Sequence, residues 1–366
     1  GEDAAARVGA LGNARRPVIV CGGGIVLWGA ERERRRLAEA LNLPVATTVS
    51  GQGAIAETHP NAVGVVGSNG GRPETRAIVD AADCVLFIGC RAGSVTTERW
   101  RSPPPGATIL HIDCDPGVIG ANYRTANHLL GDARVCLAAL NARLTEPLPD
   151  FRGDAIAAEA RAAKDAAFRP LAESPDAPVK PERVIDALDR LLPPEAVVCA
   201  DPGTPCPYFS AYWTIRLPGR HFVTNRAHGA LGYALGASIG AQFARPEAKV
   251  VCAMGDGSFG MSAGEFETIT RYKLPIATIV FSNAVYGWIK AGQKSGFGGR
   301  YHSVDFGRTD HAAVAAAFGI RSWRVEDPRE VHAALAAAIA HDGPALVDVI
   351  AQPLQDAAAP VSEWIA

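Results

Sequence analysis

The chain has 366 residues, 48% of them apolar and 20% charged, with a formal net charge of −2. That balance lacks the clustered basic charge of a nucleic-acid or membrane-surface binder, and no apolar run approaches the roughly 20 residues of a bilayer-spanning helix. The length suggests two domains, and with no signal-peptide pattern in view the expected location is cytoplasmic.

The eight cysteines include no C-x-x-C pair, and most lie in apolar strand-like runs. They read as buried structural thiols in a reducing compartment, not as disulfides or zinc ligands.

In chain order, short β-branched runs alternate with Ala-rich helical stretches. "PVIVCGGG" (Pro17 to Gly24) predicts a strand running into a glycine turn, and "AERERRRLAEALN" a helix with a charged face. "PVATTV", "CVLFIGC" and "TILHIDCD" follow as strands, and "GDARVCLAALNARL" as a helix. These strands are apolar on both faces, which predicts a parallel sheet covered by helices on each side. Proline and polar residues around an Ala-rich helix, between Thr145 and Pro181, mark a linker. Pro181 then suits the first turn of the helix "PERVIDALDRLL".

The second half repeats the alternation. Strands are expected at "AVVCAD", "HFVTN", "KVVCAM", "PIATIVFSN" and "ALVDVI". Helices are expected at "HGALGYALGASIGAQFA", "SAGEFETITRY", "HAAVAAAFG" and "PREVHAALAAAIA". The fold class is α/β with two doubly wound parallel-sheet domains: residues 1–145, a linker over 146–180, and residues 181–366 with an irregular tail. Trp364 is an apolar anchor in that tail, placed over a cleft or on the surface.

In open parallel sheets ligands bind beyond the carboxyl ends of the strands. Three segments end strands in the second domain: "ADPGTP", "MGDGSFG" and "FSNAVYGW". Their glycines admit close backbone approach, and the helix N-termini that follow offer free N–H groups to phosphate. Asp256 and Asn283 end consecutive strands, which a right-handed crossover makes neighbours or near neighbours. A carboxylate and an amide oxygen converging there suit a hard cation such as Mg2+. Alone, Asp256 would read as a turn or N-cap acid; the second element changes the balance.

"GDGS", about two dozen residues, then "SN" resembles the diphosphate-and-metal motif of thiamine-diphosphate (ThDP) enzymes, G-D-G…N-N. Ser282 replaces the first Asn of that pair, and Asn283 keeps the second. The resemblance implies a metal held by Asp256, Asn283 and the carbonyl of Val285. Around the diphosphate it implies Gly255, Gly257, Ser258, Tyr286, Gly287 and the N–H of Trp288, with Gly203 and Thr204 from "ADPGTPCPY". "HGALGYALGASIGAQ" resembles the turn that grips the aminopyrimidine ring. By that likeness the Gly229 carbonyl accepts from the 4′-amino group, and Leu231 wedges under the cofactor to impose its bent, activating conformer. Trp288, Lys290 and Gln293 are candidates for the substrate side of the cleft.

The first domain resembles the central domain of the same superfamily, most closely its acetolactate-synthase-like members, through "PVIVCGGG", "ADCVLFIGCRAGS" and "ATILHIDCDPGVIG". Some relatives bind FAD or an ADP moiety there. Here Leu27 occupies the last glycine position of "CGGGIVLWG", and "CRAGSVTTE" stands where FAD-binding members carry Arg-Phe-Asp-Asp-Arg, so FAD and ADP are not the expected cofactors. Asp113 and Asp115 read as strand-end turn acids, with a ribose contact as the alternative.

The resemblance implies cofactors ThDP and Mg2+, and a reaction forming or cleaving a C–C bond beside the carbonyl of a 2-oxo acid or acyl donor. Full members also carry an N-terminal pyrimidine-binding domain, whose glutamate protonates the cofactor ring. The expectation is that this group comes from the same precursor or from a separate subunit, within a homo- or hetero-oligomer, dimer or tetramer. Alternatives are a 2-oxo-acid or acyl-CoA decarboxylase or lyase, and a non-catalytic cofactor-binding subunit. Neither nucleic acid nor membrane is an expected partner.

Overall fold

The computed structural model describes residues 11–144 and 151–362. Trp364 lies outside them. The chain divides into two compact units: residues 1–166 with 214–220, and residues 167–213 with 221–366.

The first unit holds one six-stranded parallel sheet. Its strands are β1 (Pro17–Cys21), β2 (Val45–Thr47), β3 (Ala62–Val65), β4 (Cys84–Ile88), β5 (Thr108–Asp113) and β6 (Asn127–Leu130). Their order is β3-β2-β1-β4-β5-β6, so the winding reverses between β1 and β4. Because side chains alternate along a strand, Ile19, Cys21, Leu86 and Ile88 enter one apolar core, and Val18, Val20, Val85 and Phe87 the other. This is the two-sided burial that the near-continuous apolar runs require. At the switch point the backbone of the glycine turn after β1 lies against that after β4. A Cβ added at Gly22 would sit 2.0 Å from the Gly89 carbonyl oxygen.

The second unit holds β7 (Val197–Ala200), β8 (Phe222–Val223), β9 (Val250–Gly255), β10 (Ala277–Ser282), β11 (Arg321–Val325) and β12 (Ala345–Ile350). All pairings are again parallel, in the order β11-β12-β10-β9-β7-β8. The sequence from β7 leads outward to β8 and then back across to β9, so the switch point lies between β7 and β9. The expected neighbourhood of β9 and β10 holds: Phe281 pairs with Gly255.

Several elements depart from expectation. "HFVTN" supplies only two strand residues, and "SAGEFETITRY" is split among the helix Asp256–Ser262, a 3-10 turn and the helix Phe266–Arg271. The helix expected from His228 begins at Tyr233, because Gly229 (φ +82°) and Gly232 (φ +81°) take left-handed turn conformations. Unanticipated elements are β3, β6, β11 and the helices Gly23–Trp28, Pro73–Asp80 and Pro205–Tyr212. The linker segment carries the 20-residue helix Gly153–Ala172. Seven of the eight cysteines are buried free thiols; Cys114 is exposed. Burial pushes Cys21 and Cys90 up to about 12, so these thiols stay protonated. No helix among the described residues is long and apolar enough to cross a membrane.

Candidate functional site

The carboxyl ends of β7, β9 and β10 are adjacent in the sheet, and each delivers one acid or amide. β9 ends at Gly255, and Asp256 opens the next helix. Its buried carboxylate ties two loops together. Oδ1 accepts from the Gly257 N–H (2.9 Å). Oδ2 accepts from the N–H groups of Asn283 (2.7 Å) and Ala284 (2.6 Å), across the sheet at the end of β10. Burial raises the Asp256 pKa, and the three N–H groups oppose that rise.

The clasp bends the β10 loop sharply. Ala284 has φ +57°, a left-handed conformation that costs a non-glycine residue about 1–2 kcal/mol. The bend is also held from outside: Tyr286 N–H donates to the Val304 carbonyl (2.8 Å) and Phe306 N–H to that of Ala284 (3.0 Å). It leaves Asn283 beside the Asp256 carboxylate with both side-chain polar atoms shielded from solvent and without a hydrogen-bond partner. An orphaned buried polar group costs about 1–3 kcal/mol, a cost that a water or a bound group at this amide would relieve.

The remaining candidates fall into three groups. Tyr286 covers Gly257: a Cβ there would lie 2.6 Å from the Tyr286 ring, so the glycine is required by the ring's position. Gly287 begins a ten-residue helix, Gly287–Gly296, which follows the β10 loop and has no side-chain cap at Tyr286. Ser258 is buried in the first turn of the Asp256–Ser262 helix.

On the β7 side, Gly203 lies against Leu231: a Cβ at Gly203 would be 3.4 Å from Leu231 Cδ2. Leu231 is 37% exposed, a large apolar side chain left partly uncovered in the turn between Gly229 and Gly232. Thr204 is buried at the start of the Pro205–Tyr212 helix. The Arg226 guanidinium stacks on the Trp288 indole at 4.7 Å.

Lys290 and Gln293 are engaged within their own neighbourhood. Lys290 pairs with Asp305 and lies over the Tyr301 ring. Gln293 accepts from the His302 N–H (2.9 Å) and donates to the His302 carbonyl (3.2 Å), clamping that loop with both ends of its amide.

Two features escaped the sequence reading. Ser282 donates to Asp348 and lies 2.9 Å from His311 Nδ1. Asp348 in turn accepts from the His311 N–H (3.1 Å) and from Arg324 (3.0 Å). A compact hydroxyl fits this buried cluster, which gives a physical reason for Ser where the motif carries Asn. The second feature is Asp201, fully buried at the end of β7, whose Oδ1 accepts from the Ala234 N–H (3.0 Å). Its only sequence signal is an acid closing the apolar run "AVVCAD". Among the described residues no cluster of three or more His, Cys, Asp or Glu could hold a metal; any cation here must rely on amide and carbonyl oxygens as well.

Comparison with known proteins identifies the family of the chain. Residues 4–140 match the thiamine pyrophosphate enzyme central domain, and residues 201–349 the thiamine pyrophosphate enzyme C-terminal TPP binding domain. A probable acetolactate synthase large subunit of Methanococcus aeolicus is 32% identical over 94% of this chain and 59% of its own length. The acetolactate synthase isozyme 3 large subunit of Escherichia coli is 32% identical over 84% of this chain and 54% of its own. A putative acetolactate synthase large subunit of Mycobacterium tuberculosis is 32% identical over 94% and 62%. The chain thus spans about three fifths of the length of the curated relatives it matches. With both family domains present in order over most of its length, and with its similarity to acetolactate synthase large subunits, the chain belongs to the thiamine pyrophosphate (thiamine diphosphate) enzymes.

Proposed function

We propose that this chain holds ThDP through Mg2+ within an enzyme that forms or cleaves a C–C bond beside the carbonyl of a 2-oxo acid or acyl donor, as an acetolactate synthase does. The observation that carries the reading is Asn283, whose buried amide has no partner beside a buried carboxylate, at the carboxyl ends of adjacent strands. Mg2+ takes oxygen ligands and keeps phosphate oxygens and water among them. The donor set fits: the side chains of Asp256 and Asn283 and the carbonyl of Val285.

When bound, ThDP supplies the electron sink that stabilises a carbanion derived from the substrate carbonyl. The chain's residues bind and orient it. Gly255, Gly257 and Ser258, with the helix N-terminus at Gly287 and Trp288, would receive the diphosphate, because the dipole of the Gly287–Gly296 helix favours an anion at its start. Tyr286 closes over Gly257. Gly203 and Thr204 flank the same space from β7. The Gly229 carbonyl would accept from the aminopyrimidine, and Leu231, partly exposed beside Gly203, would support the cofactor from below. Trp288, Lys290 and Gln293 are the candidates for the substrate side, where Lys290 and Gln293 would act by exchanging their contacts to Asp305 and His302 for substrate.

The glutamate that acts on the ring belongs to a pyrimidine-binding domain, of the same precursor or of another subunit. The relatives' description as large subunits supports work alongside partner subunits; a dimer or tetramer in the cytoplasm is the arrangement expected from the resemblance.

Titration calorimetry of the full-length protein with ThDP, in Mg2+ and in EDTA, tests the reading. Affinity should require Mg2+ and fall about a hundredfold or more in Asp256→Ala, since a charged ligand is lost. Unchanged affinity sinks the site assignment. With pyruvate the complete enzyme should yield acetolactate. Carbon dioxide and aldehyde without it would indicate a decarboxylase, and tight binding with no turnover a cofactor-binding subunit.

A further inference from the structure

The helix Tyr233–Ala244 begins immediately after the Gly229–Gly232 turn, and its start is uncapped by local sequence. Its N-cap is Gly232, with no side-chain cap and no acid in the first turn. The first N–H groups of a helix have no partner within the helix, and Ala234 is fully buried. The missing cap arrives from another strand. Asp201, at the end of β7, sets its Oδ1 3.0 Å from the Ala234 N–H. Its own N–H continues the ladder to the Ala253 carbonyl of β9 (3.0 Å), so the carboxylate is fixed to the sheet at the switch point. The N–H groups of Gly232 and Tyr233 and the Ser258 hydroxyl also draw the Asp201 pKa down, against the larger upward effect of burial. Two residues on, Gly203 seats Leu231. The β7 loop therefore touches the turn twice, once by charge and once by shape.

We propose that Asp201 is a positioning residue: it caps the Tyr233–Ala244 helix from the sheet and thereby sets where the Gly229 carbonyl and the Leu231 side chain stand relative to the Asp256–Asn283 clasp. The proposal rests on the ThDP reading for its functional consequence, but the capping itself does not. Asp256 and Asn283 hold one end of the ligand site, Gly229 and Leu231 the other, and Asp201 joins the second to the frame that carries the first. It should govern recognition of the ring end of ThDP more than that of the diphosphate, which it reaches only through the Ser258 hydroxyl.

The test uses full-length protein and two probes, ThDP with Mg2+ and inorganic pyrophosphate with Mg2+, by titration calorimetry. Asp201→Ala should weaken ThDP at least about tenfold, the usual consequence of losing a hydrogen bond to a charged group. Pyrophosphate affinity should fall by a clearly smaller factor, about threefold at most, since only the Ser258 contact links Asp201 to that end. Asp201→Asn retains an oxygen for the Ala234 N–H and should restore part of the ThDP affinity. Equal losses for both probes, or no loss for either, overturn the proposal. Amide hydrogen exchange in the ligand-free protein separates the two readings. Exchange at Tyr233 and Ala234 should quicken about tenfold or more in Asp201→Ala, with the helix interior unchanged. If the wild type ignores ThDP, the cofactor reading fails, and unaltered exchange at those two amides then removes the capping role as well.

Discussion

Ser282 stands one residue before Asn283 and belongs to a different set of interactions. Its hydroxyl bridges His311 and the fully buried Asp348, whose other oxygen is taken by Arg324 and the His311 backbone. A buried network of this kind is worth most when every member is satisfied. Ser282→Ala takes the hydroxyl from between His311 Nδ1 and Asp348, which lie 3.4 Å apart and can still pair with each other, and should cost about 1 kcal/mol, the net worth of a hydrogen bond. Urea unfolding measures this directly, and a loss below the resolution of the melt would show that water replaces the hydroxyl.

The contrast between Ser282 and its neighbour shows what was readable at the level of residues. Asp256 and Asn283 could be paired from the sequence because a carboxylate and an amide ending consecutive strands are brought together by the crossover, and the structure does bring them together. Ser282 appeared only as a departure, because the reason for it lies at His311 and Asp348, 29 and 66 residues away. Asp201 was invisible for the same reason: its partner is the N–H of Ala234, a group every residue but proline carries.

At the scale of elements, the buried parallel strands were readable from composition, and the edges were not. β6, "NHLL", alternates partly buried and exposed residues, and β11, "RSWRV", carries two arginines, because each has a neighbour on one side only. β3 contains Gly64 at φ +107°, a residue that weakens any strand pattern. The Pro205–Tyr212 helix holds two prolines, yet both lie in its first turn, where the missing N–H groups would have had no helical partner.

The helix His311–Ala317 shows a cap that composition does announce. Asp310 accepts from the Ala313 N–H at 2.8 Å. Asp310→Ala should cost about 1 kcal/mol, and Asp310→Ser should recover most of it. Equal stability of all three proteins by urea melts would show that the buried His311 anchor alone defines the helix start.

β5 supplies a pH dependence. His111 is buried, its ring Nε2 lies 2.8 Å from the Cys90 carbonyl, and burial lowers its pKa below the usual 6.5. As pH falls through about 6.5 the unfolded chain takes up a proton that the folded one refuses, so stability is full above that pH and declines below it. Urea midpoints at neutral and mildly acidic pH should differ less in His111→Gln than in the wild type. An identical pH slope in the two proteins would assign the dependence to other groups.

At the scale of the whole molecule, chain order and compact units do not coincide. The segment 214–220 follows a helix of the second unit but belongs to the first. Its attachment is by backbone. Ile215 accepts from the Glu57 N–H (2.7 Å), and the Gly219 N–H donates to the Gly53 carbonyl (2.8 Å). Proline and glycine in "TIRLPGR" announce a turn, but nothing in seven residues says which unit it will join, since backbone pairing leaves no residue-type signature. Gly53 has φ +91°, and a Cβ there would lie 1.9 Å from the Gly219 carbonyl oxygen. Gly53→Ala therefore adds left-handed strain to an overlap that no rotamer change can relieve, because the opposing atom is backbone. The cost should exceed the roughly 1–2 kcal/mol of the strain alone, and it should fall on the first unit. Hydrogen exchange should then accelerate at Gly219 and around Gly53 while the β7–β9–β10 ladder keeps its protection. Uniform acceleration in both units would mean that the chain unfolds as a single cooperative body, with the returning segment among the contacts that make it one.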